Sequence, residues 1–445
     1  MGLTVNLNKS VLVPTQEIEF LGITLNSLNM TATLPSRRRS NIKEQGSLLL
    51  KGGTSLHALV VFIGLPVASE PAVTLAPLRY KYLEIVRNKE LVKNKGNYRA
   101  IINLDNHAKD LISWWIHNID LQSKSLLYSP PQLELKTDAC LTGWGAICGD
   151  AKTGGQWAQD ELDHINCLEL KAILLGFKSL CKNYSQTEVC IRSDNNTAVA
   201  CLVRGGSTKL NLNQIIEELY DWALARGITL SAKYIKGIDN VEADKESRIK
   251  NLDTEWMLKP HIFKLLCDRF HTPDIDLFAS RLNAQVTTYV SWKPDPIAAY
   301  TNAFTISWNN KNDSLYAFPP FSIIGKMLKK IREDEATVMS ILPLWPTQGW
   351  FPLALKLLAE SPFLLPRESL VLPQDPNLTH PQAPKLRMTS MILSGDPLTT
   401  KDFRKRLPNF FLGLGDTVQN CNMGLISGSG CRFVSVGKVI HFSHL

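Results

Sequence analysis

Four acidic residues stand out for the chemistry their types and spacing could perform: Asp138, Glu169, Asp194 and Asp244, separated by 31, 25 and 50 positions. Four carboxylates form a hard, all-oxygen donor set, which favours Mg²⁺ or Mn²⁺ over zinc. Two such ions about 3.5–4 Å apart clamp the attacking and leaving oxygens of an in-line phosphoryl displacement. Each acid also has an ordinary explanation. Asp138 lies in the strand-like run Leu133-Glu134-Leu135-Lys136-Thr137-Asp138-Ala139. Leu133, Leu135 and Ala139 would share one face, and Asp138 would alternate onto the other with Glu134 and Lys136. Glu169 sits among apolar helix residues, with Ala172 and Ile173 one turn on. A lone carboxylate is costly to bury there, unless Lys171 or Lys178 pairs with it at the helix edge. Asp194 ends the apolar strand Val189-Cys190-Ile191-Arg192-Ser193, where α/β sheets place ligands, yet Asp is also a favoured helix N-cap. Asp244 falls in the first turns of a helix capped by Asp239 or Asn240, where it would complement the helix dipole. Taken together, each acid begins or follows an element that can converge on one sheet edge.

The elements that must position these acids are legible as a block. Pro130 and Pro131 mark its start. A strand-rich run comes next, then a helix over 164–182 and a strand over 188–194. Helices near 196–203 and 211–226, a strand over 228–235 and a helix from Val241 complete it. That order belongs to a mixed α/β sheet. Before it, residues 1–34 alternate like strands, through Val11 and Val13, then Ile18, Phe20 and Leu21, then Ile23 and Leu25, with a turn at Asn26-Ser27. Residues 36–52 are basic and polar, and 55–125 read mostly helical, broken at Pro66, Pro71 and Pro77. Residues 255–360 form another α/β-looking block. The prolines at 362, 366, 373, 376, 381 and 384 predict an extended linker, followed by a tail to Leu445 without clear chemistry.

Of 445 residues, 44% are hydrophobic and 20% charged, which excludes a disordered or collagen-like chain. The net charge is +8, and residues 1–130 hold 15 Lys/Arg against 9 Asp/Glu, a balance consistent with a polyanionic partner. Nine scattered cysteines without a CxxC pair indicate neither a zinc cluster nor a disulfide framework, and point to cytoplasm or nucleus. The first residues do not read as a signal peptide, and Asn6 breaks the myristoylation pattern. The most apolar stretch, 58–68, is too short to span a bilayer and contains Pro66, so no membrane partner is expected.

As a set, these segments resemble the ribonuclease H domain of retroelement polymerases. They are Thr137-Asp138-Ala139 with Gly143-Trp144-Gly145-Ala146, Glu169-Leu170-Lys171-Ala172, Ser193-Asp194-Asn195-Asn196-Thr197-Ala198 and Ala243-Asp244-Lys245-Glu246-Ser247-Arg248. The resemblance covers about 130–252 and implies a mixed five-stranded sheet with flanking helices. It also implies Asp138, Glu169, Asp194 and Asp244 as catalytic ligands of two Mg²⁺ or Mn²⁺ ions. Asp138 and Asp194 would share the ions. Glu169 would complete one shell and orient the scissile ribose, and Asp244 would hold the ion near the attacking water. The implied partner is an RNA–DNA hybrid, read by backbone shape and 2′-hydroxyls with Asn195 among the contacts, and cut to a 3′-hydroxyl and a 5′-phosphate. One departure is Tyr234-Ile235-Lys236-Gly237, where the family carries a His-Ile-Pro-Gly-like run.

The flanks extend the likeness. Residues 9–25, with Glu19-Phe20-Leu21-Gly22, resemble the end of a reverse transcriptase palm. Residues 55–115, with Ala76-Pro77-Leu78 and Trp114-Trp115, resemble a thumb and connection. With Asp276-Leu277-Phe278-Ala279-Ser280-Arg281-Leu282-Asn283, Tyr316-Ala317-Phe318-Pro319-Pro320-Phe321 and Trp345-Pro346-Thr347-Gln348, the succession resembles the pol polyprotein of DIRS-type retrotransposons. That resemblance implies a palm end at 1–34, a thumb/connection at 35–129, a ribonuclease H domain at 130–252 and a smaller α/β Dam-methyltransferase-like block at 253–360. The linker and tail at 361–445 complete the division, and other polyprotein segments are possible partners. The polymerase Asp-Asp pair would precede Met1, so no DNA synthesis is expected of this chain alone. Arg37, Arg38, Arg39, Lys89, Lys93 and Lys95 could grip phosphates or form solvated faces. In the methyltransferase-like block an Asp/Asn-Pro-Pro-Tyr/Phe turn would hold a flipped base, with Asp276 and Asn283 near a cofactor or nucleotide pocket. Here Phe318 stands first in that turn and cannot accept a hydrogen bond.

Overall fold

The computed structural model describes residues 10–127, 129–249, 255–310, 313–375, 377–378, 380–383, 385–410, 425–427 and 430–445. The chain forms two compact units. One comprises Met1–Ala139, Asp163–Leu174 and Asn183–Val241; the other comprises Cys140–Leu162, Leu175–Lys182 and Glu242–Leu445.

In the first unit, β1 (Glu17–Phe20), β2 (Ile23–Asn26) and β3 (Thr31–Thr33) run as an antiparallel meander. Leu21 and Gly22 both have positive φ, 52° and 74°, as a two-residue hairpin turn demands. The turn expected at Asn26 is present, where its Oδ1 accepts the N–H groups of Leu28 and Asn29. Val11 and Val13, read as strand residues, lie outside any strand and are exposed. Then follow α1 (Ser36–Leu50), α2 (Leu56–Val67), α3 (Lys81–Lys93) and α4 (Asn106–Asn118), and β4 (Lys124–Ser125) returns to pair with β3. Ser55 and Asp105 cap α2 and α4 through the N–H groups of Ala58 and Ala108. Pro66 falls in the last turn of α2, and the apolar stretch 58–68 forms most of that amphipathic helix, burying Leu59, Phe62, Ile63 and Pro66 while Val61 and Val67 stay exposed. Leu59, Phe62, Leu83, Ile112 and Trp115 share one core.

The middle block is a mixed five-stranded sheet in the order β7-β6-β5-β8-β9. Its elements are β5 (Leu133–Ala139), β6 (Gly143–Cys148), β7 (Ala151–Gln156), α5 (Ile165–Leu180), β8 (Glu188–Ser193), α6 (Asn196–Val203), α7 (Leu210–Leu224), β9 (Thr229–Tyr234) and α8 (Val241–Arg248). Strand β8 pairs in parallel with β5 and β9, whereas β6 and β7 form an antiparallel hairpin. The hairpin glycines have a direct cause. A Cβ on Gly145 would meet the Ala243 carbonyl and come within 2.6 Å of the Ser247 nitrogen, and one on Gly143 would lie 2.6 Å from the Ser247 carbonyl. Helix α8 thus rests with its backbone against the hairpin, which only glycine permits.

The C-terminal block departs from expectation. It contains β10 (Met257–Leu258), α9 (Pro260–Arg269), β11 (Ile275–Asp276), β12 (Thr288–Ser291), β13 (Tyr300–Thr301), β14 (Leu315–Ala317), α10 (Ile324–Glu333), β15 (Thr337–Pro343) and α11 (Phe351–Lys356). Beyond these come β16 (Phe363–Leu364), β17 (Leu370–Val371), β18 (Met388–Ser394), α12 (Pro397–Arg406), β19 (Leu425–Ser427), β20 (Gly430–Ser435) and β21 (Lys438–His444). Ten strands form one sheet, ordered β13-β12-β11-β14-β15-β18-β16-β21-β20-β19. The described residues of 361–445 are therefore not a linker and tail, since they supply β16 to β21 and α12. Strand β18 is buried along its whole length and pairs antiparallel with both β15 and β16. Pro376 and Pro384 of the expected linker lie outside the described residues. Helix α10 seals one side of this sheet with Ile324, Met327, Leu328 and Ile331, an i, i+3, i+4, i+7 stripe.

Asp276, at the end of β11, is buried, and desolvation pushes its pKa from 3.8 up to about 7 against the N–H groups of Gln285 and Phe278. An acid with a raised folded pKa takes up protons on folding between its two values. Its contribution to stability is thus greatest below about pH 4, declines as pH rises through 4–7 and is gone above that window. The swing is on the order of 4 kcal/mol at about 1.4 kcal/mol per pKa unit. Denaturant midpoints of wild type should fall across pH 4–7 relative to Asp276→Asn, and a constant difference between them would contradict this.

Candidate metal centre

The register of the parallel strands brings the first two acids together. Lys136 of β5 lies opposite Arg192 of β8, so continuing two residues sets Asp138 level with Asp194. Both stand at the carboxyl ends of adjacent strands about 4.8 Å apart, where open α/β sheets bind ligands. The third acid comes from α5, whose first half buries Cys167, Leu168, Leu170, Ala172, Ile173 and Leu174. A helix buried nearly all round carries Glu169 inward with it, and Glu169 is only 5% exposed. Asp138 is 7% exposed, although Glu134, expected on the same face, is open to solvent. Glu134 pairs with Arg192 at 2.8 Å, so the strand's outward face turns polar at its start and closes over at Asp138.

One carboxylate oxygen from each of Asp138, Glu169 and Asp194 lies within 4.8 Å of the others. Ligands opposite one another around Mg²⁺, at about 2.1 Å each, stand about 4.2 Å apart, so contraction of a few tenths of an ångström closes the site on an ion. The donor set is all carboxylate oxygen, and two of its three members are buried. These features fit a hard divalent cation better than zinc.

The other nominated residues divide. Asp244, expected as a fourth ligand, is not in this three-acid group, and its carboxylate pairs with Arg248 at 2.6 Å along α8. The N-cap role considered for Asp194 belongs to Asn195, whose Oδ1 accepts the Ala198 N–H at 2.9 Å. Asn195 also donates from Nδ2 to Asn166 Oδ1 at 3.0 Å. Sequence reading missed Asn166; its signal was its place one turn before Glu169 on the same helix. Arg37, Lys89 and Lys95 are exposed on or beside α1 and α3, and Lys93 is exposed but pairs with Glu90 at 3.3 Å. Arg38 donates to the Ala68 carbonyl at 3.3 Å, and Arg39 lies 3.7 Å from Asp120, so both are engaged within the fold. Asp276 and Asn283 serve the backbone. Asn283 Oδ1 accepts from the Ser280 N–H at 2.7 Å. Phe318 packs near Phe321, which stacks edge-on against Trp345. Among the described residues, no helix is long and apolar enough to cross a membrane.

No family model matches the chain, and neither does any curated protein. Among solved structures, an LC11 RNase H1 in complex with an RNA/DNA hybrid is similar at 17% identity, covering 26% of this chain and 92% of that one, with a TM-score of 0.23. The RNase H1 of the halophilic archaeon Halobacterium salinarum is similar at 15% identity over 25% of this chain and 92% of its own, with a TM-score of 0.22. A foamy viral protease–reverse transcriptase in complex with an RNA/DNA hybrid is similar at 13% identity, with a TM-score of 0.21. The match covers 54% of this chain and a third, 33%, of that one.

Proposed function

We propose that the middle block is a ribonuclease H that cleaves the RNA strand of RNA–DNA hybrids with divalent cations, Mg²⁺ or Mn²⁺ and two in number. The observation that carries this reading is the convergence of Asp138, Glu169 and Asp194 within 4.8 Å. Bound there, the cations supply charge stabilisation at the scissile phosphate and lower the pKa of an attacking water. Asp138 and Asp194 hold the carboxylates at the strand ends in fixed register, and Glu169 closes the site from the helix. Asp244→Asn is also expected to slow cleavage, in keeping with the role the resemblance gives that residue. Incubating the full chain with Mg²⁺ and an end-labelled hybrid tests the proposal. Cleavage of the RNA strand alone is expected, and an RNA strand left intact would refute it.

The exposed cations Arg37, Lys89 and Lys95 are proposed phosphate contacts. Replacing any one by Ala should lower the slope of log binding constant against log salt by about one, if each neutralises one phosphate. Arg39→Ala, held by Asp120, should leave that slope unchanged. Fluorescence anisotropy with a labelled hybrid across a salt series reads both.

A second reading for the C-terminal block is favoured by one cavity. The strand order reverses between β11 and β14, which is the switch point where such sheets bind ligands. A cavity of about 340 Å³ opens there, lined by Phe278, Ser280, Trp292, Phe304, Pro320 and the carboxyl of Glu255, among others. Burial raises the pKa of Glu255, while Ser280 Oγ donates to it at 2.7 Å. The size and aromatic walls suit a nucleoside-type cofactor such as S-adenosylmethionine. Because Phe318 offers no acceptor for a target amino group, equilibrium dialysis should show binding without methyl transfer to DNA. Methylated adenine in the product would overturn the argument from Phe318.

A further inference from the structure

We propose that Asn240 is a positioning residue of the carboxylate site, holding the strand of Asp138 in place through the turn that also abuts Asp194. The proposal rests on reading the three acids as a cation site. Asn240 precedes α8, where sequence reading gave it or Asp239 the capping role. Instead it is 1% exposed, and its Nδ2 donates across 103 positions to the Thr137 carbonyl at 2.9 Å, one residue before Asp138.

Residues 235–240 tie three points together. At one end the Ile235 N–H donates to the Ser193 carbonyl at 3.1 Å, next to Asp194. In the middle, a Cβ built on Gly237 would lie 3.0 Å from Asp194 Oδ2, so this turn runs against the carboxylate itself. The Asn240 N–H closes back on the Gly237 carbonyl at 3.0 Å, and the Asn240 side chain fastens the far end to β5. A single short segment therefore touches Asp194 and grips the peptide before Asp138.

The arrangement is not what stability alone would select. Asn240 Oδ1 and Thr137 Oγ1 are both buried without a hydrogen-bond partner among the described residues. Unpaired buried polar atoms are unfavourable, and they concentrate where a site needs a particular geometry. Outer partners that orient metal-binding side chains typically account for about 10–100-fold in metal affinity.

Mn²⁺ binding to the full chain, followed by electron paramagnetic resonance alongside thermal midpoints, tests this without any hydrolysis. Asn240→Ala is expected to weaken Mn²⁺ binding by about 10–100-fold in the folded protein. Gly237→Ala, at an exposed turn position, should weaken it as well by pressing on Asp194. Folded variants that bind Mn²⁺ like wild type would overturn the positioning role and leave the cation site standing. A wild-type chain that binds no Mn²⁺ would overturn both. Wild-type Mn²⁺ binding without hybrid cleavage would remove the hydrolytic reading alone, with Asn240 still judged by its own variant.

Discussion

Asp138→Asn should abolish hybrid cleavage while making the cation-free protein more stable. The two effects share one cause. Asp138, Glu169 and Asp194 gather three carboxylates within 4.8 Å, two of them buried, so without a cation they repel one another. Removing one charge relieves that repulsion, and the thermal midpoint measured in chelator should rise. On the proposed reading the same change deletes a ligand when Mg²⁺ is present, and loss of such stabilisation at the scissile phosphate is expected to lower kcat by on the order of 10²–10³ or more. Stability lost together with activity would instead mark Asp138 as a structural residue. The opposite signs of the two readouts separate a functional acid from one that merely folds the sheet.

Gly145→Val should be the most disruptive substitution in the β6–β7 hairpin. The added side chain would drive into the Ala243 carbonyl and the Ser247 nitrogen, which are backbone atoms of α8 and cannot rotate away. Overpacking against a rigid partner costs about 3 kcal/mol or more, enough to lower a urea midpoint sharply. Gly149→Ala is the matched control. Its φ is +57° but nothing lies within 4 Å of the added Cβ, so only a backbone strain of about 1 kcal/mol is expected. Equal losses at the two positions would show that α8 does not rest on the hairpin as described.

The middle block was legible because its signals are long and periodic. A helix expected over 164–182 is Ile165–Leu180, and one expected over 196–203 is Asn196–Val203. Strand ends differ by a residue or so, because the carboxyl ends of β8 and β9 run directly into loops. The C-terminal block was harder to read. Its strands β11, β13, β16 and β17 are two residues long, too short for alternation to register. Strand β18 is buried on both faces, so Met388–Ser394 shows no alternation either, and the prolines before it read as linker. Within the site, residue types picked out the three acids that converge, with Asp244 outside that group, but local pattern could not assign their neighbours' work. Asn195 took the cap considered for Asp194, and Asn240 reached β5 instead of capping α8, because a contact across 103 positions leaves no periodic trace.

The central claim is that three carboxylates form one divalent-cation site, and calorimetric titration of the full chain with Mg²⁺ measures it directly. The account predicts a binding heat in wild type that disappears in the triple variant Asp138→Asn, Glu169→Gln, Asp194→Asn, with the variant still folded. The same heat in both proteins would contradict it.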